Sequence, residues 1–337
     1  MAERLLVLAP NWLGDTVMAL PAIADLRRAW PTAHLAVAAR PPLPAFLSLV
    51  PGVNEVIPLE GSLGDQIRAV AAGRFDTVVL FPNSFRAAWL VWRAGIPARW
   101  GYARDGRSLL LTRRAAVPTP PCRQAVYYQT LTTRLGVTPG PTAPRLDLPP
   151  SLMDEARALL ASRGLVEGER VVVIAPATAF GPAKQWPAGH VAALATRLAS
   201  TPGLRCVLVG GRADLDTARA VRAELPPAAA GHVIDLIGEM TLPVTVAVVA
   251  CASACVGNDS AIMHIAAALG VPVAGLFGPT DERLTAPMVL PGARSLVLTN
   301  PVACRPCFRR TCNVHGHPCL AGITPDRVRA SVDDLLS

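Results

Sequence analysis

Short, almost wholly apolar runs alternate along this chain with longer stretches of helical period. This is the pattern of parallel strands buried on both faces and joined by helices. Residues 4–9 (RLLVLA) read as a first strand, 11–15 as a turn, and 16–30 as a helix with Val17, Leu20, Ile23, Ala24 and Leu26 apolar. Residues 34–39 (HLAVAA), 53–58 (VNEVIP) and 77–81 (TVVLF) read as further strands, 67–72 and 85–94 as helices, and 99–102 as a short edge strand. The pattern then restarts, with strands predicted at 170–175, 205–209, 232–235, 254–256 and 273–277 and helices between them. Such alternation predicts an α/β protein with doubly wound parallel sheets.

The restart follows a change in composition. Residues 136–150 (GVTPGPTAPRLDLPP) contain five prolines, and proline-rich chain of this kind separates domains. Two domains are expected, 1–150 and 151–337, with the last helix available to pack back on the first. Neither first strand is followed by GxGxxG, which argues against a dinucleotide dehydrogenase and for a two-domain cleft protein.

Charge gives the halves different characters. Residues 1–150 hold 16 arginines and 9 acids, whereas 151–337 hold 16 basic residues and 15 acids. Something anionic is expected to meet the first half. Nucleic acid matches only in sign, since there is no dense basic run, zinc-finger spacing or aromatic-interleaved basic strand. A phosphorylated or membrane-surface substrate fits better. The apolar start stops at Pro10-Asn11 and Asp15 follows too soon for a signal peptide, so a cytoplasmic protein is expected. The uncharged stretch 240–258 approaches membrane length, but Pro243 opens it and Cys251-Ala252-Ser253 divides it into a buried helix and a strand.

Candidate chemistry gathers at strand ends. Residues 256–280 (VGNDSAIMHIAAALGVPVAGLFGPT) pack a strand end, a polar turn, a helix and a second strand into one stretch. Asp259 or Ser260 falls at a helix N-cap, where free N–H groups and the helix dipole favour an anion, typically a phosphate. A plain cap at Asp259 and plain packing at His264 explain the same residues. Of the basic residues 31 are arginine and one is lysine, Lys184, in the loop PATAFGPAKQWP. A lone ammonium in such a background suggests a place where a compact charge serves and a planar fork does not, as on a diphosphate oxygen. At 4 Å and an effective dielectric near 20 that attraction is on the order of 4 kcal/mol before desolvation. Asp15 in NWLGDT has two readings: a helix N-cap, or a general base whose pKa desolvation raises, beside a Gly14 that lets a substrate approach.

Four stretches, APNWLGDTVMALPAI, FPNSFRAAWLVWRAGIPARWGY, APATAFGPAKQWP and GNDSAIMHIAAALGVPVAGLFGPT, span essentially the whole chain in this order. Together they resemble the bacterial ADP-heptose:lipopolysaccharide heptosyltransferases of glycosyltransferase family nine, and FPNSF with GIPARWGY brings the pattern nearest to the type II enzymes. The resemblance implies a GT-B fold, two Rossmann-like halves facing each other across a cleft, with the acceptor on the N-terminal half and ADP-heptose on the C-terminal half. It implies inverting transfer of L-glycero-D-manno-heptose onto the first heptose of the lipopolysaccharide inner core. Asp15 stands at the family's catalytic base and Lys184 at its diphosphate-binding lysine. Asp259, Ser260 and His264 match a D-[ST]-G-x-x-H turn that contacts diphosphate and sugar, with Ala261 where a Gly is often found. Met240 stands near the adenine, Asp214 or Asp216 at the ribose, and Thr178 on the donor side. Asn11, Gly14, Asn83 and Ser84 stand on the acceptor side.

The resemblance also implies that transfer requires no cofactor, and no DxD carboxylate pair is placed to hold a metal. Cys304, Cys307, Cys312 and Cys319, with His315 and His317 among them, have the ligand types and some of the spacing of a zinc site. The irregular second half favours reduced or loosely paired cysteines stapling a loop. Expected partners are ADP-heptose, a heptosyl-Kdo-lipid A acceptor and the inner face of the cytoplasmic membrane, without nucleic acid, and a monomer is expected. The nearest alternatives are a family relative with another acceptor and a GT-B-like sugar-nucleotide epimerase, which would need no acceptor surface. A non-enzymatic two-domain ligand sensor is the most distant.

Overall fold

The computed structural model describes residues 3–337. Among them, six strands form a first parallel sheet: β1 (Arg4–Leu8), β2 (His34–Ala39), β3 (Glu55–Pro58), β4 (Thr77–Leu80), β5 (Ala98–Tyr102) and β6 (Arg113–Ala115), in the order β3-β2-β1-β4-β5-β6. Six more form a second: β7 (Arg170–Ala175), β8 (Leu204–Leu208), β9 (Val233–Asp235), β10 (Ala254–Asn258), β11 (Val273–Phe277) and β12 (Ser295–Thr299), in the order β12-β11-β10-β7-β8-β9. The chain falls into two compact units, the first ending at Asp147 and the second beginning at Leu148. In each sheet the strand order reverses at the centre, between β1 and β4 and between β7 and β10. The chain leaves such neighbours toward opposite faces, so a ligand crevice opens at their C-terminal ends.

In the first unit the central strands are buried almost throughout, and a core of Leu6, Ala36, Val78, Leu80, Leu90 and Val91 packs between sheet and helices. The first helix, Leu13–Ala29, begins earlier than its apolar period predicts. Its N-cap is Trp12, with no side-chain capping bond. The Thr16 hydroxyl ties down the opening turn instead, donating to the carbonyls of Trp12 (3.0 Å) and Pro10 (3.3 Å). Asp15 is therefore inside the first turn and is not the cap. The stretch expected as an edge strand, β5, is paired on both sides, because β6 adds outside it. That outer strand reads Arg-Arg-Ala and carries almost no apolar signal. The helix Gln124–Arg134, also absent from the periodic reading, packs on the first helix and buries Tyr128, Leu131 and Thr132. Beside it the buried Asp25 carboxylate accepts from Gln129 Nε2 (3.0 Å) and from the Gly140 N–H (3.1 Å), fastening the proline-rich stretch to the first helix.

In the second unit the last helix, Pro325–Leu336, starts at the Thr324 cap with proline in its first turn. This helix belongs to the second unit. Val328, Val332 and Leu335 enter the core formed with Val172, Ile174, Leu208 and Val256, because the apolar side of this helix completes the face of its own sheet. The uncharged stretch resolves as foreseen into a helix, Leu242–Ala250, and β10. No helix among the described residues is long and apolar enough to cross a membrane.

Candidate active site

Lys184 follows β7 and Asp259 follows β10, so the central reversal of the second sheet brings them together. Lys184 Nζ lies 2.6 Å from Asp259 Oδ2, with the two side chains 12% and 5% exposed. The Thr280 hydroxyl, on the turn after β11, donates to the same oxygen at 2.7 Å. The ammonium sits over the Phe180 ring, 4.7 Å from its centroid, a cation–π contact that steadies it with no acceptor consumed. Asn258 fixes the frame: its Oδ1 accepts from the Trp186 N–H (3.1 Å) and its Nδ2 donates to the Pro176 carbonyl (2.7 Å). One amide thus ties both ends of the Lys184 loop to the end of β10. Thr280, Asn258 and Phe180 were not singled out from the sequence, although Asn258 and Thr280 stand inside the motif stretch.

The helix Ala261–Ala268 begins at Ser260, whose side chain makes no capping bond. Its Oγ is buried and finds no hydrogen-bond partner among the described residues. A buried hydroxyl left unpaired costs on the order of 1–3 kcal/mol, and here it stands beside the unclaimed N–H groups of a helix start and next to an ammonium. Those three groups are what an anionic ligand pairs with. Ala261 occupies the first helical position. His264 is buried one turn on, and desolvation lowers its pKa to about 4, with the Asp259 charge opposing and the Lys184 charge assisting. Its imidazole is neutral at pH 7, so the positive charge here belongs to Lys184.

The rim holds the other donor-side candidates. Asp214 folds back over the turn after β8, accepts from the Gly211 N–H (2.8 Å), and has its pKa raised by burial. Asp216, 88% exposed, pairs with Arg219 in solvent. Thr178 Oγ1 accepts from the Phe180 N–H (3.3 Å), and Met240 is half-buried just before the Leu242–Ala250 helix. The cysteine segment props the site from behind. Cys307 and Phe308 N–H groups both donate to the Pro279 carbonyl (2.9 Å), Ala183 N–H donates to the Arg310 carbonyl (3.0 Å), and Arg305 donates to the carbonyls of Gly278 and Thr280. Cys304, Cys307, Cys312 and Cys319 are free thiols lining a cavity of about 370 Å³ with His317. Burial pushes the Cys319 thiol up, its three neighbours adding to the shift. Among the described residues no three His, Cys, Asp or Glu side chains are grouped so as to hold a metal ion.

The acceptor-side candidates occupy the corresponding reversal in the first unit. Asn11, Gly14 and Asp15 follow β1, and Asn83 and Ser84 follow β4, its neighbour. Burial pushes the Tyr128 hydroxyl well up, and the Asp15 charge adds to it. Asn83 is held at both ends of its amide, donating to Tyr127 Oη (2.8 Å) and accepting from Arg107 Nη2 (3.1 Å). Arg107 is fully buried; desolvation lowers its pKa to about 10, and it also donates to the carbonyls of Tyr102 and Pro82. The Ser84 hydroxyl is spent capping the next helix through the Ala87 N–H (3.3 Å). Arg107 and Tyr127 carried no sequence signal, being one arginine among many and a tyrosine outside the motifs.

The model of glycosyltransferase family 9 (heptosyltransferase) matches residues 64–317. The chain belongs to this family. It is similar to lipopolysaccharide heptosyltransferase 2 of Salmonella typhimurium, 31% identical with 99% of each chain covered, and to that of Escherichia coli K12, 30% identical with 99% of this chain and 98% of that one covered. The structure of E. coli ADP-heptose lipopolysaccharide heptosyltransferase II superposes with a TM-score of 0.84 at 29% identity, covering 99% of this chain and 98% of that one. The E. coli heptosyltransferase WaaC with ADP shares the fold, with a TM-score of 0.74 at 22% identity and 98% and 99% of the two chains covered. This family member is thus a glycosyltransferase, and its two sheets are those of the GT-B fold.

Proposed function

We propose that this chain transfers L-glycero-D-manno-heptose from ADP-heptose to the first heptose of the lipopolysaccharide inner core, with inversion at the anomeric carbon. Full-length similarity to heptosyltransferase 2 enzymes supports the substrate class. The observation in the molecule that carries the reading is the second-unit anion site, where Lys184, the Ser260 hydroxyl and a free helix start converge. The donor diphosphate lies on these groups, with the adenine toward Met240 and Thr178. Asp214 meets the ribose hydroxyls, because it is turned inward whereas Asp216 pairs in solvent.

Asp15 takes the proton of the acceptor hydroxyl as that oxygen forms its bond to the anomeric carbon. The bond from this carbon to the diphosphate oxygen breaks, and ADP leaves with the electron pair. Lys184 and the helix N–H groups meet the charge that develops there, a role an ammonium and fixed dipoles fill without a metal or cofactor. Asn11, Gly14, Asn83 and Ser84 border the acceptor, which is lipid-anchored, so the enzyme works at the inner face of the cytoplasmic membrane. The test is ADP release from ADP-heptose with and without a deacylated heptosyl-Kdo acceptor. Release that requires the acceptor and yields a diheptosyl product is expected; conversion of the donor with no acceptor present would favour an epimerase and overturn the proposal.

A further inference from the structure

The helix Phe85–Arg93 turns Ala87, Ala88, Leu90 and Val91 into the core. The opposite side of a surface helix ordinarily carries polar residues. Here it carries an aromatic stripe: Phe85 is 49% and Trp92 41% exposed, and Trp89 lies between them. The ring centroids of Phe85 and Trp89 are 6.2 Å apart and stacked, those of Trp89 and Trp92 4.8 Å apart, and the Arg93 guanidinium rests over Trp89 at 5.9 Å. The 3-10 turn Arg107–Leu110 packs against this helix and presents Leu109 at 93% exposure.

The charge around this apolar face has one sign. Residues 84–114 contain seven arginines and a single acid, Asp105, which is paired with Arg104 at 3.4 Å. The neighbouring helix, Leu63–Ala72, adds Asp65, itself paired with Arg68. Exposed Arg86 and Arg93 stand on the helix itself and exposed Arg104 just before the Arg107–Leu110 turn, so positive charge lies beside exposed tryptophan, phenylalanine and leucine. Tryptophan settles at the level of lipid headgroups, leucine enters the acyl boundary, and arginine pairs with anionic headgroups while its stem lies along the apolar surface. Nucleic acid would answer the arginines and leave Leu109 unexplained.

We propose that the outer face of the Phe85–Arg93 helix, with Leu109, docks this enzyme on a bilayer surface rich in anionic headgroups. The helix starts at Ser84, directly after the acceptor-side end of β4, so a bilayer against this face brings a lipid-anchored acceptor to the loops that border it. That consequence rests on the transfer reading; the docking itself does not.

The test is co-sedimentation of the full chain with vesicles of phosphatidylglycerol and phosphatidylcholine, against phosphatidylcholine alone, over a salt series. Wild type is expected to bind the anionic vesicles and to lose binding as salt rises. The variant carrying Trp92→Glu and Leu109→Glu, checked for native circular dichroism and melting, is expected to bind at least about tenfold more weakly. Its turnover on the soluble deacylated acceptor should match wild type. Failure of wild type to bind anionic vesicles, or unchanged binding by the variant, overturns the docking proposal. So does self-association of wild type that the variant abolishes while vesicles are ignored, which would make the face a protein interface. Absence of turnover by wild type on the soluble acceptor would count against the transfer reading and leave the docking result standing.

Discussion

A nearly buried carboxylate loses far more than one contact when its cation is removed, and Lys184 and Asp259 stand in that relation. Breaking one end of a buried ion pair strands the other charge, at a cost of about 3–5 kcal/mol, whereas neutralising both ends is much milder. Lys184→Ala should therefore lower both stability and ADP affinity, for different reasons. In the double variant Lys184→Ala with Asp259→Asn, thermal melting should largely recover, since Thr280 can still donate to the amide oxygen. ADP binding should not recover. Lys184→Arg should rescue binding only in part, because a planar fork cannot replace a compact ammonium over Phe180. Calorimetric titration with ADP beside a melting curve separates the two effects; near-native ADP affinity in the double variant would take Lys184 out of the donor site. The sequence pointed to Lys184 because it is the single lysine. It could not show that its partner lies 75 positions away or that Thr280 shares that carboxylate. Only the sheet order sets those neighbours.

Elements were legible where local signal and tertiary role agree. The apolar runs of β1, β2, β4, β7 and β11 are strands paired on both sides, and the helix read at 85–94 starts where Ser84 caps it, whereas the helix read at 67–72 begins four residues earlier, at the Ser62 cap. Legibility failed where partners outside the segment do the stabilising. β6 is three residues paired on one side, β12 is a half-exposed edge strand, and Gln124–Arg134 holds its place by packing on the first helix. The start of that first helix matters most for chemistry, since it moves Asp15 from cap to first turn. A carboxylate there gains only about 0.3–1 kcal/mol from the helix dipole. Asp15→Asn and Asp15→Ala should therefore lose that dipole contribution alike in a melting curve, whereas a cap would have made alanine the worse. If Asp15 is the base, both should lower turnover by roughly two to four orders of magnitude and leave ADP-heptose affinity unchanged. Turnover by Asp15→Asn close to wild type would assign the proton transfer to another group.

At the scale of the whole molecule, the sequence announced two units through the proline-rich stretch but left the ownership of the last helix open. The structure gives that helix to the second unit, and the interactions holding it there close the unit on itself. Trp186 Nε1 donates to the Ile323 carbonyl (2.8 Å), Arg170 to the Leu336 carbonyl (3.1 Å), and Arg294 pairs with Asp334 (2.8 Å). Val328, Val332 and Leu335 complete a core drawn only from residues of this unit. A chain with its own core, its own edge strands and a boundary in irregular proline-rich sequence should fold alone. All of the donor-side candidates, from Thr178 to His264, lie within it. A fragment of residues 148–337 should therefore be folded and bind ADP about as tightly as the full chain, without transferring heptose, since Asp15 is absent. At about 100 times the dissociation constant, ADP should stabilise both by about 2.7 kcal/mol, several degrees in melting temperature for a unit of this size. Matching shifts in fragment and full chain, with turnover in the full chain alone, is the expected result. A folded fragment whose melting ADP leaves unmoved would mean that the donor site needs residues of the first unit, and the assignment of the nucleotide to the second sheet alone would fall.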